Sequence, residues 1–480
     1  MAYQDESELT LAQYLSNIET ILQAADEEAD RHCRLDHGGG EDSEGACLTR
    51  KLLIHVHGGL NTRASSLLNA QRAIEKIESE PFSQWHYPIF VSWPTGAFEC
   101  YREHLFELRA GHHAPFWATL TSPLFLAADL VRGVARLPRS LFYGTTSDIQ
   151  AASKIAFDVN VLDRHERAEL LLAVLDGQRA DGDQGVFDAQ LGDYGRGAGA
   201  QFARFLGYWA TLPVTIPMTA VVLDGVGQSA WEVMRHRAQN AAHRVDDIEW
   251  EPREDRRFLN SVLQQQPMGG FSLLMRRLNE RIEATRRQDN PPVKYEITLV
   301  AHSMGAFLIN EALALYPDLP VKNIVYMAPA CSVAEGAQAI VPFLKHRNEA
   351  LRLEKAGPEP DGKPVEQVEL KEEEQTNFYL LCLHPIAEQD ERNLLDLPPR
   401  GSLLEWIDNW FEPPSHPLEA RMGKWVNAMP TLHLYRDVST AFHIKGFGVR
   451  PESRPQRHGQ FNECPFWRSD FWDPEGRKCY

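Results

Sequence analysis

Apolar residues occur along the chain in short continuous runs, separated by segments with apolar positions at helical spacing. Six runs have the length of buried strands, and they cover 51–56, 87–93, 297–301, 323–327, 378–383 and 431–435. Helical spacing is clearest over 62–78, 271–287 and 307–315. Strands covered on both faces of a parallel sheet appear as continuous apolar runs, and alternation with helices is typical of parallel sheets with right-handed crossovers. The pattern predicts an α/β fold.

A long insertion separates the second predicted strand from the third. The helix over 271–287 supplies the crossover that such strands require, so 97–270 is additional, mainly helical and rich in aromatic residues such as Phe116 and Trp117. We therefore predict an N-terminal helix and connector over 1–49, a core over 50–96 and 271–480, and a helical insertion over 97–270. A lid or acyl-chain pocket and an ordinary subdomain core both fit the composition of the insertion.

One segment of the insertion bears on contact with membranes. Residues 205–223 carry no charge between Arg204 and Asp224, but Gly207, Pro213 and Pro217 make the segment a poor transmembrane helix. Contact with a lipid interface fits it better than a span.

The charge and cysteine content restrict the partners and the compartment. The chain has 49 basic and 67 acidic residues and a net charge of -18, which argues against nucleic acid as a partner and against electrostatic docking on anionic membranes, although local basic patches remain. Seven scattered cysteines without a C-x-x-C pair are typical of a reduced chain, and residues 1–6 lack the features of a signal peptide. We expect a cytoplasmic protein, with peripheral membrane association through apolar segments.

A serine occupies the turn between the third predicted strand and its helix. The run 297–301 ends in the sequence H-S-M-G, residues 302–305, so that Ser303 lies at the apex. A nucleophile on such a sharp turn requires small residues two positions before and after it, here Ala301 and Gly305, because the helix must pack closely on the strand. An ordinary turn with a capping serine is the alternative.

Two glycines follow the first predicted strand in the sequence H-G-G-L, residues 57–60. Adjacent glycines let backbone N–H groups turn inward, where a developing oxyanion could accept hydrogen bonds. Together with the turn at Ser303, this pattern predicts an oxyanion hole from the N–H groups of Gly59, Leu60 and Met304. A simple glycine turn is the alternative.

These motifs carry a resemblance to a known family. With H-G-G at 57–59, A-H-S-M-G at 301–305 and a histidine late in the chain, the sequence resembles the α/β-hydrolase superfamily, and within it the lipases and esterases. The resemblance covers about 50–96 and 290–480, and Ala301 departs from the commoner glycine. It implies an α/β-hydrolase-type, mostly parallel sheet flanked by helices, and a triad in the chain order serine, acid, histidine.

The resemblance also guides the choice of histidine. The triad histidine is expected on a loop beyond the last strand, from which its Nε2 can reach the serine hydroxyl. His433 lies inside the last predicted strand, and His443 follows it closely. His458, with Gly459 after it, fits the expected position best, and His443 is the alternative.

The acid is expected after the strand over 378–383, again by resemblance. Asp390 is the first aspartate in the loop that follows, and Glu388 and Asp396 compete with it. A solvated acidic loop without a catalytic role is the remaining interpretation.

Together the motifs predict a serine hydrolase without cofactor or metal. Ser303 would attack an ester carbonyl after His458 takes its proton, with Asp390 orienting the imidazole. His55 and His57 alternate along the first strand, but no acidic or cysteine cluster accompanies them, so we expect no metal site. The expected substrates are lipids or other apolar acyl esters, as for a lipase, phospholipase or carboxylesterase. The alternatives are a non-catalytic interaction protein on a hydrolase scaffold and an exported lipase toxin.

Overall fold

The structure is a computed structural model that describes residues 11–36, 49–81, 85–93, 95–109, 112–139, 221–242, 269–287, 293–356, 369–383, 387–388, 391, 401–447 and 454–472. Most of the predicted insertion lies outside these residues, so its role as a lid or pocket stays a prediction. Asp390 and Asp396 also lie outside them.

Helices and strands alternate over most of the described chain. In order, they are α1 (Leu11–Asp36), β1 (Thr49–Val56), α2 (Arg63–Ile77), β2 (Tyr87–Val91), α3 (Ala97–Phe106), β3 (Leu108–Arg109), β4 (His112–His113), α4 (Pro115–Ala135), α5 (Gln228–Ala242), α6 (Gly270–Arg286), β5 (Lys294–His302), α7 (Gly305–Leu315), β6 (Val321–Met327), α8 (Val333–Ala356), β7 (Asn377–Leu383), α9 (Leu403–Trp406), α10 (Ala428–Leu434), β8 (Phe442–Phe447) and α11 (Ser469–Trp472).

A mostly parallel sheet of six strands has the order β2-β1-β5-β6-β7-β8 and is flanked by helices. β1 pairs in parallel with β2 on one side and with β5 on the other, and Val56 lies opposite Ala301 in the second pair. The predicted α/β fold with a parallel sheet is therefore confirmed. The chain moves outward from β1 to β2 and returns with β5 on the opposite side, so the strand order reverses between β1 and β5. Ligands of open α/β sheets bind at the carboxyl ends of the strands at such a point.

The prediction of a strand over 431–435 is wrong. These residues belong to α10 and the turn after it, because Ala428, Thr431 and Tyr435 are buried at helical spacing and the Thr431 hydroxyl donates to the Asn427 carbonyl at 2.8 Å. The last strand is β8, which begins at Phe442.

The N-terminal helix is longer than its apolar pattern indicated. The acidic and glycine-rich stretch over 26–45 indicates a connector, yet α1 continues to Asp36. Asp26 is buried and accepts hydrogen bonds from Tyr295 Oη at 2.7 Å and from Arg281 Nε at 2.6 Å, and it lies 3.1 Å from Arg50 Nη1. The buried Asp26 carboxylate thus anchors α1 to β1, β5 and α6.

The chain divides into two compact units. The first comprises Met1–Pro94, Arg235–Val325 and Gln338–Phe378, and the second comprises Thr95–Met234, Tyr326–Ala337 and Tyr379–Tyr480. Over the described ranges, no helix combines the length and the apolar character that crossing a membrane requires.

Candidate active site

Ser303 lies at the apex of the turn between β5 and α7, in the first unit. Its φ of +51° is in the left-handed region, which non-glycine residues rarely adopt. Within the described chain, the other non-glycine residues with positive φ are Leu60, after β1, and Ala328, directly after β6. Strained backbone of this kind clusters at functional sites. Here it follows the carboxyl ends of three strands of one sheet.

The hydroxyl of Ser303 is buried without a hydrogen-bond partner. The residue is 1% exposed, and Oγ makes no hydrogen bond to any group that the structure describes. A buried hydroxyl without a partner loses the hydrogen bonds that water would supply, at a cost of about 1–3 kcal/mol. The turn therefore holds this side chain in a position that costs stability.

Two glycines allow the turn to approach the end of β1. A Cβ atom on Gly305 would lie 2.3 Å from the Val56 carbonyl oxygen, and one on Gly58 would lie 2.8 Å from Ser303 Cβ. Neither contact is tolerated, so both positions require glycine. Ala301 is fully buried opposite Val56 in the sheet, so the residue two positions before Ser303 is small, as a sharp turn requires. The structure therefore brings Ser303 close to Gly58 in the glycine loop of residues 57–60.

The predicted oxyanion donors are the residues that come directly after Ser303 and Gly58 in the chain. Met304 directly precedes α7, where the N–H groups of the first turn have no acceptor within the helix. Gly59 and Leu60 follow Gly58, and Asn61 Nδ2 donates to the Gly58 carbonyl at 3.1 Å, which fixes the loop. The use of these N–H groups as an oxyanion hole stays a prediction.

His57 is a structural histidine in its neutral form. Its Nδ1 donates to the Gly58 carbonyl at 2.7 Å, while its Nε2 accepts the backbone N–H of Trp93 at 3.1 Å. A carbonyl only accepts and an amide N–H only donates, so the ring carries one proton, on Nδ1. Burial lowers the pKa of His57, in agreement with the neutral ring. Both nitrogens are engaged, so His57 holds the glycine loop and is a poor candidate for the catalytic base.

His55 is also unsuited to carry charge. Burial, together with the nearby His57 and His302, lowers its pKa well below the ordinary value. In the part of the chain that the structure describes, no group of three or more His, Cys, Asp or Glu side chains is placed to hold a metal ion.

His458 lies in the second unit, at the start of a short 3-10 helix over His458–Glu463. The residue is 5% exposed, and its backbone N–H donates to Glu391 Oε2 at 2.9 Å. Gly459 has open space around the position of a Cβ atom, so sterics do not require a glycine after the histidine.

Glu391 is a buried carboxylate that the sequence analysis did not consider. Two backbone hydrogen bonds hold its segment, from Gly401 N to the Glu391 carbonyl at 2.9 Å and from Ser402 N to the Glu388 carbonyl at 2.8 Å. Glu388 Oε1 also accepts from the Ser402 hydroxyl at 3.1 Å, and burial, with Glu405 nearby, raises the pKa of Glu388 well above its usual range. Glu388 is thus a buried carboxyl group bonded to Ser402. The carboxylate placed against His458 is Glu391, and it contacts the backbone of His458.

The competing histidines have other surroundings. His443 is the second residue of β8, and its ring stacks on Tyr379 with centroids 4.8 Å apart. His433 lies exposed on α10.

Glu391 is expected to make stability depend on pH. Burial raises its pKa to about 7, against the opposing effect of the His458 N–H. An unfolded glutamate has a pKa of about 4.3. The folded state therefore binds more protons between these values, and its stability falls as pH rises through this window. Relative to Glu391→Gln, which keeps an oxygen acceptor for the His458 N–H, we expect the wild type to lose up to about 3 kcal/mol between pH 5 and pH 8.

Chemical unfolding of both proteins at the two pH values measures this difference. Glu463→Gln is the matched control, because Glu463 lies exposed in the same unit. Parallel pH profiles for wild type and Glu391→Gln would show that Glu391 titrates normally.

Comparison of the chain with protein-family models, with curated proteins and with solved structures found no match.

Proposed function

We propose that the protein is a serine hydrolase of the α/β-hydrolase type that cleaves carboxylic esters. The observation that supports this most is the state of Ser303: a buried hydroxyl without a hydrogen-bond partner on a left-handed residue between β5 and α7. The Gly58 backbone lies close to the Cβ atom of Ser303, at the point where the strand order of the sheet reverses. An ordinary structural serine gains nothing from this strained turn, whereas a nucleophile gains access to a bound carbonyl.

The proposed mechanism uses an acyl-enzyme intermediate. Ser303 Oγ attacks the ester carbonyl while the imidazole of His458 accepts its proton. The N–H groups of Met304 and of the Gly59-Leu60 segment stabilise the oxyanion. The imidazolium then donates its proton to the leaving alcohol oxygen as the C–O bond breaks. Water, deprotonated by the same imidazole, hydrolyses the acyl-enzyme and restores the serine.

The orienting acid is proposed to come from the segment after β7. Asp390 remains the proposed residue for the imidazole, and Glu391 is assigned to the backbone of His458, where its carboxylate is seen. Glu391 thus acts as a positioning residue, because it fixes the start of the short helix that carries the histidine.

The substrate class is proposed to be lipids or other apolar acyl esters. This part rests on the apolar insertion and on the large exposed apolar side chains of α4, which lies within it. Such surfaces are typical of binding sites for apolar ligands.

Labelling with a fluorophosphonate probe tests the chemistry. We expect the wild type to be labelled and Ser303→Ala to lose all labelling, because the probe reacts only with an activated serine. Ser66→Ala is a suitable control: Ser66 is another buried serine of the first unit, and its hydroxyl bonds to Ser92 Oγ at 2.6 Å. This control should label like the wild type.

Absence of labelling in the folded wild type would favour a non-catalytic protein on a hydrolase scaffold.

For the substrate class, turnover of p-nitrophenyl esters should increase with acyl length. A preference for acetyl esters would contradict the lipid assignment and leave the chemistry unchanged.

A further inference from the structure

Helix α4 exposes its large apolar residues and buries its small and polar ones. Six apolar side chains are each between 55% and 72% exposed, and they are Phe116, Trp117, Leu120, Leu124, Val131 and Val134. We call these six residues the α4 face. At roughly 100° per residue they fall within an arc of about 100° on one side of the helix. No charged residue occurs between Pro115 and Ala128.

The opposite side of α4 faces protein. Its buried residues are Ala118, Ser122, Asp129 and Gly133. At roughly 100° per residue these four occupy a narrow arc centred opposite the α4 face.

Close backbone contacts explain the small residues on the inner side. A Cβ atom on Gly133 would lie 2.6 Å from the Val221 carbonyl oxygen, and one on Gly225 would lie 2.5 Å from the Asp129 carbonyl oxygen. The Asp129 carboxylate accepts from Tyr101 Oη at 3.2 Å and from Ser229 Oγ at 3.1 Å. Small residues at the contact and polar groups bonded across it are features of helices that pack within lipid.

This arrangement reverses the usual amphipathic pattern. A surface helix of a water-soluble domain turns its apolar stripe inward and its charged side to solvent. Here the packed side is polar and the outer side is a continuous apolar stripe. From Phe116 to Val134 it extends about 27 Å, at 1.5 Å per residue.

We propose that the α4 face docks on an anionic phospholipid surface, with its apolar side chains inserted at the boundary between headgroups and acyl chains. Its ends carry residues suited to that position: Trp117 near the start, and the arginines 132, 136 and 139 at and beyond the carboxyl end. Over 115–139 these three arginines accompany a single acidic residue, the buried Asp129, in a chain whose net charge is -18. Arg132 lies 3.9 Å from Asp129, and Arg136 and Arg139 donate to the neutral acceptors Gln228 Oε1 and the Asn409 carbonyl. The net charge of segment 115–139 is therefore positive, which complements anionic headgroups.

The docking proposal does not depend on the chemistry of Ser303. It is tested with full-length Ser303→Ala protein, so that no hydrolysis alters the lipid, by cosedimentation with vesicles of phosphatidylcholine mixed with phosphatidylglycerol. We expect binding that is stronger than to phosphatidylcholine alone and weaker at high salt. Leu120→Glu/Leu124→Glu should lower the partition coefficient by about 100-fold or more, because two exposed leucines proposed to insert into the lipid are replaced by charges.

The control is Leu353→Glu, at a leucine of α8 that is 57% exposed, and it should bind like its parent. Val131→Asp/Val134→Asp is a second variant of the α4 face, for use if the first does not fold as judged by circular dichroism. Vesicle binding unchanged in a folded variant of the α4 face, or no binding by the parent, would overturn the proposal. So would an oligomer that these variants convert to monomer, since the α4 face would then be an interface between copies. Failure of fluorophosphonate labelling would leave the docking result unaffected.

Discussion

Alanine at Ser303 or at His458 is expected to lower kcat for p-nitrophenyl butyrate by about 10⁴- to 10⁶-fold, and the double variant to be no slower than the slower single variant. Nucleophile and base act as one unit, so removing either abolishes proton transfer and attack together. What remains in each variant is the contribution of substrate binding and the oxyanion donors. Steady-state kinetics of the four proteins measure this directly.

The alanine variant at position 458 separates the role of the imidazole from that of the local backbone. Alanine at 458 removes the imidazole and retains the backbone N–H that Glu391 accepts, so the local fold is preserved. His443→Ala is the matched control and should stay within about threefold of wild type, as for a residue outside the reaction. Losses that multiply in the double variant, or a large loss in His443→Ala, would refute the assignment of His458 as the base for Ser303.

Gly305→Ala is expected to destabilise the protein by about 3 kcal/mol or more. The added Cβ would lie 2.3 Å from the Val56 carbonyl oxygen and 2.9 Å from its carbon. Both are backbone atoms of a central strand, held in the sheet by β2 and β5, so they cannot move aside as a flexible side chain could. Calorimetric melting measures the effect as a lower Tm. The soluble yield on expression should also be lower.

Gly459→Ala is the control, because a Cβ atom there would meet nothing within 4 Å. Its Tm should equal that of the wild type. An unchanged Tm in Gly305→Ala would mean that the contact between the serine turn and β1 is looser than described, and would weaken the case for a preorganised site.

Most of the sheet could be predicted from the sequence because its central strands are covered on both faces. β5, β6 and β7 therefore appear as continuous apolar runs. β8 was missed because it contains Lys445, whose buried Nζ donates to the Phe471 carbonyl at 2.9 Å, a partner distant in sequence.

The residues proposed for the reaction also differ in how far the sequence alone reveals them. Ser303 and its glycines could be predicted because a sharp turn imposes small residues at fixed spacing. Glu391 could not be singled out, because the backbone carbonyls of Glu388 and Glu391 accept hydrogen bonds from residues 402 and 401, which no local sequence pattern links to them. For α4, hydropathy predicts an apolar helix and does not reveal which side is packed.

The two hydrogen bonds of the His57 ring have a consequence for the proposed catalysis. They join the loop after β1 to the segment after β2, so in the proposed reaction the amides near Ser303 would be aligned before an ester binds. Reorganisation of dipoles during a reaction is a large part of the barrier in water. The His57 ring, held at both nitrogens, would remove that cost before the substrate binds. A histidine that transfers no proton would then influence the rate of the proposed reaction.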